Sequence, residues 1–149
     1  LLLYRDQQDK IVSLDKNTRI PVMFDGVVVS IIHDFLGRSV IVEHGPLERD
    51  RGRFCTIYAH TKPLKDLQVG QAVKQGHIMA ELAHPGPSNF PMAPHLHLSA
   101  GRIFRPISYD RLDWNTIGDS DALTLLDPID LIEWKYRVED KVGPARPAS

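Results

Sequence analysis

The sequence predicts a mainly β domain, and three observations predict it. Short runs rich in valine, isoleucine and phenylalanine recur between turn signals, at residues 20–24, 27–32, 39–43 and 54–60. No stretch sustains an apolar stripe of period 3.6 long enough for a substantial helix. Between residues 67 and 80, Gly70 and Gly76 bracket a single valine, Val73, a spacing that suits two tight turns around a short strand, with glycine supplying positive φ.

In chain order, Leu1-Leu2-Leu3-Tyr4 reads as a strand entered partway, with no initiator methionine and no signal peptide, so residues are expected upstream of Leu1. The polar stretch 5–10 and the segment 11–14 read as a turn and a returning strand that ends at Asp15-Lys16-Asn17. Asp25-Gly26, lying between two apolar runs, is a hairpin signal. Gly37 separates 27–32 from 39–43, which closes at His44-Gly45, and a charged loop at 48–53 leads into 54–60. The loop 84–93 holds three prolines and a glycine, which makes it a wall or lid rather than an element. It delivers the chain into Pro94-His95-Leu96-His97-Leu98. Past Gly101 the pattern loosens, and residues 103–123, with Asp110, Asp113, Asp119 and Asp121, read as a solvated insertion loop without calcium-loop spacing. Asp127-Pro128 sets an N-cap before proline at the first helical position, opening a short helical turn through Trp134. Residues 1–134 thus read as one domain, and 135–149 as a tail expected to be partly disordered.

Bulk properties exclude several functions. At 149 residues, 42% hydrophobic and 25% charged, the chain has an ordinary core and no membrane-spanning run. A net charge of −1, with lysine and arginine dispersed, leaves no footprint for nucleic acid or anionic lipid. The single cysteine, Cys55, excludes an internal disulfide. It stands an odd number of residues from His60 on one strand, so it reads as a buried structural thiol rather than a nucleophile paired with that histidine.

The chemistry concentrates at residues 94–98. Successive side chains of a strand point to opposite faces, so His95 and His97 share one face and Leu96 and Leu98 the other. Two imidazoles about 6–7 Å apart can both bind a metal, or one can bind while the other moves protons. Alone, so short a motif is equally a pair of solvated surface histidines.

Context comes from a set of segments: Asp25-Gly26-Val27-Val28, His44-Gly45, Tyr58-Ala59-His60, Val69-Gly70-Gln71-Ala72-Val73-Lys74-Gln75-Gly76, Pro94-His95-Leu96-His97 and Asp127-Pro128. In order and spacing these resemble the lysostaphin-type or LytM-type zinc metallo-endopeptidases of bacterial peptidoglycan, over about residues 18–128. The resemblance implies a duplicated hybrid motif, in which antiparallel sheets form a barrel-sandwich-like body around a groove, with the insertion outside the pattern. It implies that His97 is a zinc ligand and that His95 and His60 flank the metal-bound water. Such a site would polarise the scissile carbonyl while an imidazole handles the proton. His44 and His77 read as structural, His33 and His84 as surface or loop residues. The implied location is the periplasm, the cell envelope or outside the cell, and the implied partner a peptidoglycan peptide or another peptide.

The family's other two ligands come from an upstream His-x-Gly-x-Asp segment that this sequence lacks. Ungapped alignment puts them on Gln7 and Ile11, which suit zinc poorly or not at all. With residues 5–17 as an inserted hairpin, they would fall just before Leu1, and this second alignment is preferred. Two functions follow: a zinc endopeptidase of the cell wall, or a non-catalytic relative that keeps the groove and binds a partner, as degenerate members that activate amidases do. A biotinyl or lipoyl carrier needs lysine after methionine at the turn tip, and Ala80 follows Met79. A phosphocarrier using His95 or His97 explains neither Tyr58-Ala59-His60 nor Asp127-Pro128.

Overall fold

The computed structural model describes residues 3–5, 8, 10–15, 17–46, 53–84, 93–104, 108–109, 113–117 and 123–131. Among the described residues ten strands carry the fold: β1 (Leu3–Arg5), β2 (Ile11–Ser13), β3 (Arg19–Pro21), β4 (Gly26–His33), β5 (Arg38–His44), β6 (Arg53–Pro63), β7 (Ala72–Val73), β8 (Ile78–Leu82), β9 (His97–Ile103) and β10 (Leu123–Leu126). Helical structure among the described residues is confined to short turns, including α1 (Trp114–Ile117) and a 3-10 turn at Pro128–Leu131. The chain is mainly β, as expected. The expected returning strand is present among the described residues, since β1 and β2 pair antiparallel as a separate two-stranded sheet, with Leu3 opposite Ser13.

The other eight strands form one antiparallel sheet in the order β10-β9-β6-β5-β4-β7, with β8 pairing both β6 and β3. β6 is the pivot. Along one edge it pairs β5, while along the other it pairs β9 from Arg53 to Ala59 and β8 from Thr61 to Pro63. Its residues from Phe54 to Thr61 are all buried because both faces of the sheet are covered. One face builds a core from Val28, Val40, Val42, Tyr58, Met79 and Leu82, among others. The other builds a smaller core from Ile41, Cys55, Ile57, Ile103, Ile117 and Leu123.

Three local expectations are corrected. Asp25-Gly26 does not join a hairpin, since β3 pairs β8 and β4 pairs β5 and β7. Asp25 instead caps the turn after β7, its carboxylate accepting from Lys74 Nζ at 2.8 Å and from the Gln75 amide at 2.9 Å. Gly26 serves close approach rather than positive φ: a Cβ there would run into the Glu43 carbonyl oxygen and sit 2.6 Å from His44 Nδ1. Second, the insertion is not merely loop. Its first and last residues, Ile103 and Leu123, lie in β9 and β10, and Ile117 and Leu123 cover the second core. Third, the strand carrying the two histidines begins at His97, so His95 precedes it.

Other readings hold. Gly70 and Gly76 have φ of 89° and 80° and flank β7. At the C-terminal turn Asp127 accepts from the Ile129 amide at 2.9 Å. The extension of that turn to Trp134 and the tail 135–149 fall outside the described residues, as do 47–52 and 85–92.

Candidate active site

His60 stands where β6 changes partner from β9 to β8. Between the pairs Arg38↔Thr61 and Val40↔Tyr58, Ser39 on β5 faces two residues of β6, Ala59 and His60, so the chain bulges. The bulge puts His60 at φ 63°, among the described residues the one non-glycine with positive φ. That conformation costs a non-glycine residue free energy, and it persists because the surroundings hold both ends of the peptide. The freed His60 amide donates to Asp34 Oδ2 at 2.9 Å, and the His60 carbonyl accepts from the Ala83 amide at 2.8 Å.

Asp34 lies in the turn between β4 and β5, with its side chain 2% exposed. Its Oδ1 accepts from the Leu36 amide at 2.9 Å, the Gly37 amide at 2.7 Å and His60 Nδ1 at 3.3 Å; its Oδ2 also accepts from Ser39 Oγ at 2.8 Å. Burial alone would raise this carboxyl, but the donated hydrogen bonds, led by the His60 amide, outweigh it and hold the pKa at about 2. It is therefore an anion at neutral pH.

The three histidines singled out in the sequence come together. The His60 ring lies 4.9 Å from that of His95 and 5.9 Å from that of His97, centroid to centroid. Leu96 and Leu98 pack on the first core, so the alternation of faces holds across the start of β9. His95 Nδ1 lies 3.0 Å from the Ala93 carbonyl oxygen, and His60 Nδ1 faces the Asp34 carboxylate. Both partners can only accept, so in each neutral ring Nδ1 carries the proton and Nε2 is left as the base. Burial, then the charges of His60 and His95, hold the His97 imidazole below its ordinary pKa, favouring the neutral ring that coordinates metal.

Aromatic rings flank the cluster. Phe35, 74% exposed, meets His60 edge-on at 4.7 Å, and Trp114 stacks on His97 at 5.9 Å. Sequence reasoning singled out neither ring, nor Asp34. The signal for Asp34 was Asp34-Phe35-Leu36-Gly37 between two apolar runs, an Asx-turn pattern. Nothing in it pointed across to His60, 26 residues away.

The other histidines stay apart from this site. His44 is 3% exposed and holds the Asp25 carbonyl oxygen at 2.9 Å and Thr56 Oγ1 at 2.7 Å, a structural use of both nitrogens. His33, His77 and His84 are exposed. Burial, and after it the charge of Glu43, pushes the Cys55 thiol up to about 12, as an inert core thiol requires. Two hollows of about 610 and 640 Å³ lie outside the cluster; the first shares Leu36 and Gly37 with the Asp34 turn.

His97 fits zinc chemically, as a neutral imidazole. Among the described residues, however, no group of three or more histidine, cysteine or carboxylate side chains could hold a metal ion. These residues alone do not make a zinc site.

Comparison with known proteins adds two findings. The model of peptidase family M23 matches residues 10–107. The fold matches the NMR solution structure of lysostaphin with a TM-score of 0.50 at 20% identity, over 79% of this chain and 39% of that one. The chain thus spans about two fifths of the length of that structure. No curated protein matches the chain.

Proposed function

As the chain belongs to peptidase family M23, whose substrates are peptides, we propose that it is an endopeptidase of the LytM type that hydrolyses peptide bonds in bacterial cell-wall peptidoglycan. The observation that carries this reading is the convergence of His60, His95 and His97, with the first two rings each tied at Nδ1 to an oxygen acceptor. Two neighbouring imidazoles, each with Nε2 as its base in the neutral ring, can take a proton from an attacking water and return one to the leaving amine. His97 supplies one ligand position for the zinc on which this family typically depends, and the remaining ligands come from outside the described residues. A bound zinc would contribute Lewis acidity at the scissile carbonyl. His60 and His95 are assigned to proton transfer. The setting is the cell envelope or the medium outside the cell; among the described residues no helix is long and apolar enough to cross a membrane.

The test is incubation of the zinc-loaded protein, including a His-x-Gly-x-Asp ligand segment ahead of Leu1, with purified sacculi, followed by mass spectrometry of released muropeptides. New amino termini within cross-linked stem peptides are expected, lost in His60→Ala and His95→Ala. His97→Ala should lose both metal and turnover, whereas His95→Ala should keep most of the metal.

A second reading has its own support in that no group of three or more metal-ligating side chains gathers around His97 among the described residues. It is a non-catalytic domain that keeps the groove and binds peptide or a partner. Co-sedimentation with sacculi without any new amino terminus would favour it.

A further inference from the structure

We infer that Asp34 is a positioning residue that fixes the tautomer and direction of the His60 ring, so that the neutral ring beside His95 and His97 carries its proton on Nδ1 and keeps Nε2 as the base. The inference rests on the hydrolase reading for its purpose, but the arrangement stands on geometry. Asp34 reaches His60 twice, through the backbone amide at 2.9 Å and through ring Nδ1 at 3.3 Å. Holding both ends of one residue fixes the ring relative to the backbone, as a single ring contact would not.

The backbone contact explains the strain. A bulge leaves one amide without its ladder partner, and an unpaired buried amide is costly. Here that amide belongs to His60, and the Asp34 carboxylate takes it up. His60 can therefore keep φ 63° on a β-strand. The Asx turn fixes the carboxylate in its own right, since the Leu36 and Gly37 amides and the Ser39 hydroxyl bind it whatever the His60 ring does. A carboxylate so prepared accepts from a neutral imidazole only when Nδ1 carries the proton. This is the base-and-orienter logic of hydrolases in general, with Asp34 touching neither the scissile bond nor His97.

A purely structural carboxylate would hold the turn without setting the ring, and histidine-selective ¹⁵N labelling of the chain separates the two. The His60 ring signals are identified by their loss in His60→Gln. At a pH where the ring is neutral, wild type should show Nδ1 protonated and Nε2 bare. Asp34→Ala should shift it toward the Nε2–H form, while Ser39→Ala, which removes a hydrogen bond from the carboxylate but none from His60, should leave it as in wild type. In sacculus digestion by the zinc-loaded protein that includes a His-x-Gly-x-Asp segment ahead of Leu1, Asp34→Ala should lower kcat on the order of 10²- to 10⁴-fold, the usual worth of a general base, with KM little changed.

A wild-type ring in the Nε2–H form overturns the inference without any variant, and covers the case in which Asp34→Ala does not fold. A folded Asp34→Ala protein with wild-type ring shifts overturns it as well. Zinc-loaded protein that includes a His-x-Gly-x-Asp segment ahead of Leu1 and cleaves nothing, while His60 shows the Nδ1–H form, supports the positioning and sinks the hydrolase reading, so the two fail separately.

Discussion

At the scale of single residues, the site is organised by a carboxylate rather than by an imidazole. Asp34 accepts five hydrogen bonds, and these have a consequence for stability apart from catalysis. Its folded pKa is about 2 against an ordinary 3.8, so the folded state binds its proton more weakly than the unfolded chain does. The stabilisation is complete above the unfolded value and is lost as pH falls through the folded one. The drop corresponds to about 2 kcal/mol. Urea denaturation of wild type and Asp34→Ala at a series of pH values should show a gap that is constant near neutrality and narrows by about 2 kcal/mol between roughly pH 4 and pH 2. A gap that does not change over that range would mean that the carboxylate is not held as an anion. His60 was legible in the sequence because Tyr58-Ala59-His60 is a recognisable segment. Asp34 was not, because its partner is met only after β4, β5 and β6 have paired.

At the scale of elements, sequence reading erred where the composition of a segment and its role in the packing part company. Asp25-Gly26 has the composition of a type I′ turn, but composition cannot tell a glycine needed for its φ from one needed for its missing side chain. Gly26→Ala should therefore destabilise the fold by about 3 kcal/mol, at the upper end of overpacking costs, because the Glu43 carbonyl it meets is backbone and His44 is locked by two hydrogen bonds. A cost below about 0.5 kcal/mol in thermal or urea unfolding would restore the turn reading. The segment 103–123 misled for the opposite reason. Its many aspartates hide two apolar residues, Ile117 and Leu123, that cover the second core. Leu123 is 3% exposed and lies so close over Gly101 that a Cβ at Gly101 would be 2.6 Å from Leu123 Cδ2. Leu123→Ala should cost about 2–5 kcal/mol, the range for truncating a buried leucine, and Leu125→Ala, at a position 59% exposed on the same strand, close to nothing. Equal effects at the two positions would show that β10 is not the cover of that face. The glycines around β7 were read correctly because there φ and composition agree.

At the scale of the whole molecule, the family pattern was legible because its segments are spread over most of the chain, and the model of peptidase family M23 spans residues 10–107. Metal binding is a property of that whole rather than of any segment, since a catalytic zinc ordinarily takes three protein ligands plus water. Of the three clustered histidines, His60 is engaged at Nδ1 with Asp34, His95 at Nδ1 with Ala93, and His97 makes no hydrogen bond among the described residues. Under the proposed assignment His60 and His95 handle the proton and His97 is the ligand, and among the described residues no group of three or more histidine, cysteine or carboxylate side chains gathers to hold a metal. The chain of residues 1–149 should therefore hold zinc weakly. Metal analysis after dialysis against a mild chelator should find well under one zinc per chain, with circular dichroism unchanged on removal because both cores are independent of the site. Joining a His-x-Gly-x-Asp segment ahead of Leu1 should raise zinc to one per chain, and His97→Ala in that longer protein should abolish it. Stoichiometric zinc in the 149-residue chain would refute the argument and send the search for ligands to acidic residues such as Asp110, Asp119 and Asp121. If zinc then survived His95→Ala but not His97→Ala, the division of roles between the two histidines would stand even so.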